Sequence, residues 1–214
     1  MLPLGGRTGR FPKLITTGLI DPARCLWGER ATRFDGRVYR APRINLDRLQ
    51  RTTGLGPWAR DRLRPKVLLA TQTRILEAAI DERGRWLPAV PLITITPRRR
   101  TDLWHIAAVL LSPVATAWAI RHYAGAGLSA DAIKLSAKQV LTIPIPPRRT
   151  AWNRAAQLIR AAATAPDQRR EILLARAGAD MCRAYGLPPD DATALIVWWQ
   201  RRARPRTPRR QDRV

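Results

Sequence analysis

Short apolar runs bounded by turn-forming residues dominate the first half of the chain. Residues 66–70, 75–80 and 91–95 are such runs, and the last is rich in β-branched side chains. Runs of this length and composition predict short β-strands. Residues 81–84 form an Asp-Glu-Arg-Gly turn before residues 85–87, which predicts a β-hairpin between the second run and residues 85–87.

The spacing of apolar residues becomes helical after residue 101. Residues 102–111 and 113–123 are predicted to form two helices, because Ser112 followed by Pro113 is a helix-start signal. The same apolar stretch has about the minimum length that spans a bilayer. The Ser-Pro break and the polar residues His105 and Arg121 instead favour two buried helices and no membrane span.

A different pattern follows this helical pair. Gly-Ala-Gly at residues 125–127 is predicted to cap the second helix, and residues 129–140 to form a third short element. Alternating prolines in residues 141–147 exclude a central strand and predict an extended edge.

The last third of the chain has no strand-like run. Helices are predicted over residues 152–163, 167–185 and 190–200, and Pro166 divides the first two because it cannot continue a helix. Residues 201–214 are rich in Arg and Pro and are predicted to be a disordered basic tail.

These elements together predict an α+β fold with a small mixed or antiparallel sheet, packed helices and a helical C-terminal segment. The predicted organisation is a loop-rich lead-in with short strands (1–64), an α+β core (65–147), a helical appendage (148–200) and the basic tail (201–214).

Charge changes the interpretation of this fold. The chain has 39 Lys and Arg against 16 Asp and Glu, and its formal net charge is +23. Only four of the basic residues are lysines, which indicates in part a coding bias toward arginine, but that bias does not explain the scarcity of acidic residues. A basic surface gains affinity for phosphate by releasing condensed counterions, so the charge favours nucleic acid as the partner. A solvated basic surface or an acidic protein partner is the alternative.

The candidate nucleic-acid contacts are basic or polar side chains beside predicted strands and turns, where basic groups hold phosphates and polar groups read base edges. Tryptophans offer a second mode of contact, because their rings can stack on bases. Trp104 and Trp118 are predicted to be core residues, whereas the sequence does not decide between core and base stacking for Trp27 and Trp86. The candidate residues are Lys66, Thr71, Gln72, Thr73, Arg74, Arg98, Arg99, Arg100, Lys134, Lys138, Arg148 and Arg149.

Residue types typical of catalysis are sparse. Cys25 and Cys182 are far apart and accompany two histidines, which predicts reduced thiols with no disulfide or zinc site. His105 is predicted to be a core histidine. The glycine clusters at residues 5–9 and 125–127 lack the preceding strand that a nucleotide-binding loop requires, so no cofactor is expected. The N-terminus has no apolar run typical of a signal peptide, and a cytoplasmic location is expected.

A family resemblance adds to this interpretation. The stretches PKVLLATQTRILEAAIDERGRWLPAVPLITITP and DLWHIAAVLLSPVATAW, then Lys134 to Lys138 and the closing IPIPP, resemble the C-terminal target-recognition region of bacterial N6-adenine DNA methyltransferases. That region is similar to the TaqI-like specificity domain and, more distantly, to the specificity subunits of type I restriction systems. The resemblance covers about residues 13–147. No single motif in it is diagnostic, and its specific part is the order in which the motifs follow one another.

The resemblance implies a module that binds double-stranded DNA while a separate catalytic domain flips and methylates the adenine. The Asn/Asp-Pro-Pro-aromatic motif of that domain and its loop for S-adenosylmethionine have no match in this chain. We therefore expect a DNA-recognition module that is no enzyme on its own. It acts with a separately encoded methyltransferase subunit, which binds the S-adenosylmethionine, or is a remnant of a longer gene.

Two alternatives stay open. The first is a free-standing, sequence-indifferent nucleic-acid binder, of DNA or of RNA, whose basic tail supplies most of the affinity. The second is a protein-interaction subunit that docks its partner through the C-terminal helices, with Trp198 and Trp199 as an exposed anchor.

Overall fold

The structure is a computed structural model that describes residues 11–123, 132–147 and 149–203. The protein is α+β, as expected from the sequence. Its strands are β1 (Lys13–Ile15), β2 (Ile20–Asp21), β3 (Arg24–Cys25), β4 (Thr32–Phe34), β5 (Arg37–Tyr39), β6 (Lys66–Leu69), β7 (Ala78–Asp81), β8 (Trp86–Pro88) and β9 (Ile93–Ile95). Its α-helices are α1 (Leu46–Thr53), α2 (Gly56–Asp61), α3 (Leu103–Leu110), α4 (Pro113–Tyr123), α5 (Ala137–Val140), α6 (Arg149–Ala162), α7 (Asp167–Tyr185) and α8 (Pro189–Ala203).

A three-stranded antiparallel sheet in the order β7-β6-β9 lies at the centre of the fold. Each of the three predicted apolar runs supplies one of its strands. Successive side chains of β6 point to opposite faces. Val67 and Leu69 therefore join the main core, while Leu68 joins a second cluster formed with Ile15 and Leu19.

The predicted hairpin across residues 81–84 is wrong. Gly84 has a φ of 66°, as the turn requires, but β8 pairs in parallel with β1 and not with β7. The carboxylate of Asp81 accepts hydrogen bonds from the backbone N–H groups of Arg85 (3.0 Å) and Trp86 (2.8 Å), so it turns the chain away from β7. The strand that pairs with β7 in an antiparallel hairpin is β6.

The helical pair α3 and α4 agrees with its predicted position. The hydroxyl oxygen of Ser112 accepts from the N–H of Ala115 at 3.0 Å, which is the expected N-cap contact. Within the described residues, no single helix is long and apolar enough to cross a membrane. A bent pair, residues 100–110 with Pro113–Tyr123, meets the length and composition criteria when taken together, with a bend of 63°.

The C-terminal part is helical, as predicted. Pro166 lies at the N-cap of α7, and Gly186 ends α7 with a φ of 80°. One large hydrophobic cluster joins these helices to the sheet, with buried residues such as Leu69 of β6, Leu103 of α3 and Ile159 of α6. The sheet and the C-terminal helices therefore share a core.

Two segments differ from the sequence prediction. The lead-in contains helix α1, whose Asn45 side chain accepts from the N–H of Arg48 and whose C-cap Gly54 has a φ of 69°, as well as α2. Residues 141–147 form no strand, so the predicted sheet edge is absent. The backbone oxygen of Pro144 instead accepts from the Tyr185 hydroxyl at 2.6 Å, which fixes this segment to the end of α7.

Several predictions lie outside the described residues. They are the cap at residues 125–127, the start of the element at residues 129–140, Arg148, and the tail from residue 204 onward. Within the described part of the third element, only Ala137–Val140 is helical. Residues 201–203, assigned to the tail from the sequence, belong to α8.

Candidate nucleic-acid interface

Two of the predicted contact segments, distant in sequence, meet in the structure. Residues 70–77 connect β6 to β7, and their tip contacts residue 133. The N–H of Gln72 donates to the backbone oxygen of Ile133 at 3.0 Å, and the N–H of Ile133 donates to the backbone oxygen of Thr73 at 2.8 Å. This isolated antiparallel bridge places Gln72 and Lys134 on neighbouring backbones. We call residues 71–74 and 132–138 together the bridge site.

Gln72 has an unusual backbone conformation in this site. Its φ is 64°, in the left-handed region that residues with a β-carbon rarely adopt. The conformation costs on the order of 1 kcal/mol or more and persists where the surrounding contacts impose it. The Gln72 side chain is partly exposed at the bridge. Strain of this kind is frequent at binding sites and directs attention to this residue.

Lys134 and Lys138 supply positive charge to the bridge site, and both are exposed. Between them, Ser136 begins α5 with a capping box. The Ser136 hydroxyl oxygen accepts from the N–H of Gln139 at 3.3 Å, and the Gln139 side-chain oxygen accepts from the N–H of Ser136 at 2.7 Å. These reciprocal contacts fix the backbone conformation of the segment that contains both lysines.

The two threonine side chains of the loop are committed to the fold. Thr71 is buried, and its hydroxyl donates to the backbone oxygen of Pro91. The Thr73 hydroxyl donates to the backbone oxygen of Ile75. The backbone oxygen of Arg74 accepts from Nε of Arg202 at 3.0 Å. Among the predicted base-reading residues, Gln72 is therefore the best placed to reach a ligand.

The structure removes Lys66 from the predicted interface. Its side chain is 0% exposed, and its Nζ lies 2.5 Å from Oδ2 of Asp81. Burial lowers the pKa of Lys66, while Asp81 acts to raise it. Lys66 was predicted as a contact because it is a cation at the start of a strand, but it faces the interior and cannot reach a phosphate.

The remaining predicted arginines lie elsewhere. Arg98, Arg99 and Arg100 are exposed and follow β9, whose Ile95 pairs with Val67 at the start of β6. The bridge site follows the other end of β6, so the two sets occupy opposite ends of the sheet. Arg149 begins α6, exposed, with its guanidinium carbon 5.2 Å from the centroid of the Trp152 ring.

Arg202 is a neighbour of the bridge site that was not predicted from the sequence. Residues 201–214 have the composition of one basic segment, which predicts a tail at Arg202 and not a helix. The available signal was the helix itself, since Arg201 and Arg202 occupy the last turn of α8, where cations complement the helix dipole.

Glu77, also missed from the sequence, lies at the base of the same β6–β7 connection. Burial raises its pKa to about 7; the nearby Asp21 adds to the rise, and Arg30 opposes it. Glu77 lies within an otherwise apolar run, but the extent of its desolvation depends on packing against segments distant in sequence.

An open cleft of about 880 Å³ separates the turn between α6 and α7 from β3 and the ends of β7 and β8. Trp86 and Trp104 line it, and Trp104 Nε1 donates to Glu82 at 3.4 Å. The cleft also contains an ion-pair network in which Arg24 contacts both Glu29 and Asp167. Its charged groups are largely paired with one another.

The tryptophans left open from the sequence are now placed. Trp27 is partly buried, its Nε1 donates to the backbone oxygen of Pro42 at 2.8 Å, and its ring is covered by Lys13 and Arg43. Trp199 is 4% exposed in the main core, so the expectation of an exposed Trp198-Trp199 anchor is wrong.

The cysteines and His105 show no catalytic arrangement in the described part of the chain. Burial raises the pKa of both Cys25 and Cys182 to about 11, which keeps the free thiols protonated at neutral pH. The ring of His105 lies within hydrogen-bond distance of the backbone oxygen of Thr101 and of Asn153 Oδ1. Residues 11–123, 132–147 and 149–203 contain no cluster of His, Cys, Asp or Glu that could hold a metal ion.

Comparison with known proteins gives no family assignment. The chain matches no protein-family model, and no curated protein matches it.

Proposed function

We propose that this protein is a DNA-recognition module that holds duplex DNA at the bridge site. The observation that carries the proposal is the backbone bridge between Thr73 and Ile133. It brings together two segments that were predicted separately as DNA contacts. One contains Gln72, and the other contains Lys134 and Lys138. A fold that gathers both kinds of contact at one place supports recognition of DNA better than scattered surface charge does.

In the proposed mechanism, the lysines position the DNA and Gln72 reads it. Lys134 and Lys138 contact phosphate oxygens, which gives affinity without sequence information. The amide of Gln72 has a donor and an acceptor, the pair that matches N7 and N6 of adenine in the major groove. The left-handed backbone of Gln72 and its bridge to Ile133 fix the main-chain position from which the side chain extends.

The catalytic step in this proposal belongs to another chain. A separately encoded methyltransferase subunit binds S-adenosylmethionine and modifies the base, and the present protein selects the target. The resemblance to target-recognition regions of N6-adenine DNA methyltransferases supports this division of labour.

The test is charge reversal at the two lysines. Lys134→Glu/Lys138→Glu should weaken binding to random-sequence duplex DNA at least tenfold and reduce the slope of log K against log salt by about 2, since each phosphate contact contributes roughly 0.9. Fluorescence anisotropy over a salt series measures both. The matched control is Arg33→Glu/Arg37→Glu, which changes the charge equally on the exposed β4–β5 hairpin. Equal effects of the two pairs would reject the bridge site.

A sequence-indifferent nucleic-acid binder is the second candidate, and one contact favours it. Arg202 near the end of α8 donates to the backbone oxygen of Arg74. This contact places the last turn of α8 beside the bridge site, and the arginines that follow residue 203 in the sequence supply further cations for phosphate.

A further inference from the structure

A buried carboxylate lies between α6 and α7 and orients two arginines. Asp180 is on α7, and its side chain is 7% exposed. Its Oδ1 accepts from Arg154 of α6 at 3.2 Å and from Arg183 of α7 at 2.5 Å. A carboxylate that is buried and shared in this way holds both guanidinium groups in a defined geometry.

The two arginines remain open to solvent. The side chains of Arg154 and Arg183 are 52% and 60% exposed. Because both contact the same oxygen atom, their contacting nitrogens lie within about 6 Å of each other. One carboxylate neutralises only one of two cations, so the pair has an excess positive charge at the surface.

The same helix extends this positive charge along its length. Arg169, Arg176 and Arg183 recur at intervals of seven residues on α7, and all three are exposed. Seven residues are close to two helical turns, so these side chains lie along one side of the helix at steps of about 10 Å. We call Arg169, Arg176, Arg183 and Arg154 the arginine stripe.

We propose that the arginine stripe binds the phosphate backbone of duplex DNA, with Arg154 and Arg183 gripping one phosphate between them. The inference rests on the proposed function and adds a second contact surface to it, on helices that the sequence did not nominate. Asp180 acts as a positioning residue that fixes the two guanidinium groups before the DNA arrives. Arginine suits this role because its planar donors match phosphate oxygens in a bidentate manner.

A purely structural role accounts for less of the geometry. The buried carboxylate of Asp180 needs one cationic partner, and one arginine satisfies that need. The second arginine, which is more than half exposed, adds about 0–1 kcal/mol to stability. The regular spacing of the exposed arginines on α7 has no role in the core. Duplex DNA has one negative charge per roughly 1.7 Å of its axis, so several of these exposed arginines can contact phosphates of one duplex at the same time.

The first experiment removes the pair. Arg154→Gln/Arg183→Gln should weaken binding of the full chain to random-sequence duplex DNA about tenfold or more, and reduce the salt slope by about 1, because the two arginines share one phosphate. Arg33→Gln/Arg37→Gln removes the same charge from the β4–β5 hairpin and should bind like the unaltered protein. Binding by Arg154→Gln/Arg183→Gln that equals this control overturns the inference.

Further variants separate binding from folding. The double variant leaves Asp180 buried without its partners, so Arg154→Gln/Asp180→Asn/Arg183→Gln removes the carboxylate together with the pair, and thermal unfolding checks that the protein is intact. Its control is Arg33→Gln, which has the same change in net charge. Arg154→Lys/Arg183→Lys keeps the charge and should retain the salt slope with a smaller loss of affinity. If the folded triple variant binds like Arg33→Gln, the inference is wrong.

The outcomes also separate this inference from the proposed function. If the lysine reversal at the bridge site weakens binding but the stripe variants do not, the proposed function stands and the stripe is structural. If the unaltered protein binds polyglutamate as well as it binds duplex DNA, or binds no duplex at all, both proposals are overturned.

Discussion

Burial alters the acid–base behaviour of Glu77 more than any charged neighbour does. Desolvation raises its pKa to about 7, Asp21 adds to the rise, and Arg30 opposes it. A folded-state pKa above the unfolded value means that the folded protein binds more protons between about pH 4.5 and pH 7. Stability therefore falls as the pH rises through this window.

Glu77→Gln should remove this pH dependence. We expect the variant to match the unaltered protein near pH 4.5 and to exceed its free energy of unfolding at pH 8 by about 3 kcal/mol, because the neutral amide has no charge to desolvate. Urea denaturation at a series of pH values measures the difference. Glu171→Gln, an exposed change on α7, serves as the control and should leave the pH profile unchanged. Parallel profiles for Glu77→Gln and the unaltered protein would contradict the prediction.

Lys66 and Lys134 show how far a basic side chain can be interpreted from sequence. Both are lysines beside apolar residues, and both were predicted as contacts. Lys134 is exposed, whereas Lys66 is enclosed with Asp81, which is fifteen residues away. The difference depends on which face of β6 is covered by the N-terminal segment. Local sequence has no information about that packing.

In the connection between β6 and β7, a residue with a strained backbone is also the proposed base-reading residue. Gln72 has its strained backbone there, and Asp35 in the turn between β4 and β5 has a comparable φ of 49°. Asp35 precedes Gly36 in a two-residue hairpin turn, where such values are ordinary. The two positions therefore share a conformation but differ in their proposed role.

Gln72→Gly should stabilise the protein by about 1 kcal/mol, since glycine adopts a positive φ without steric cost. The same change should lower the preference for a selected target duplex over random duplex, because the amide that reads the base is lost. Asp35→Gly should also stabilise the protein while leaving binding unchanged. Thermal unfolding and competition binding measure the two effects. A stabilised Gln72→Gly with full sequence preference would exclude Gln72 as the reading residue.

The distribution of charge over the folded protein bears on the second candidate function. Residues 204–214 contain five arginines and one aspartate, and they follow α8 at the point where Arg202 contacts Arg74. The bridge site lies on residues 71–74 and 132–138, and the arginine stripe lies on α6 and α7. In the proposed mechanism, both sets of cations contribute to the salt dependence of DNA binding, and Gln72 reads the sequence.

Truncation after Ala203 separates the two contributions. We expect the salt slope for duplex DNA to fall by roughly 4, because the truncated protein lacks five arginines and loses up to five phosphate contacts. Binding at low salt and the preference for a selected target should survive. Filter binding over a salt series, with thermal unfolding to verify the fold, measures this. Complete loss of binding on truncation would favour the sequence-indifferent binder over the recognition module.

Local patterns were sufficient for most of the elements. The Ser-Pro start of α4, the Pro166 boundary of α7 and the apolar runs of the central sheet all appear where the sequence predicts them. Helix caps and apolar spacing act over a few residues, so they can be recognised without the fold. Even α1 had its signals in Asn45 and Gly54, although it was not predicted.

Long-range contacts settled the rest. The sequence could not show that β8 pairs with β1, that Lys66 is buried on Asp81, or that Thr73 meets Ile133 across sixty residues. Each of these depends on the free energy of packing distant segments together, which no local pattern encodes. Composition established that the protein is strongly basic. Tertiary packing determined that Lys134 lies beside Gln72, that the stripe arginines of α7 are exposed and that Lys66 is buried in the core.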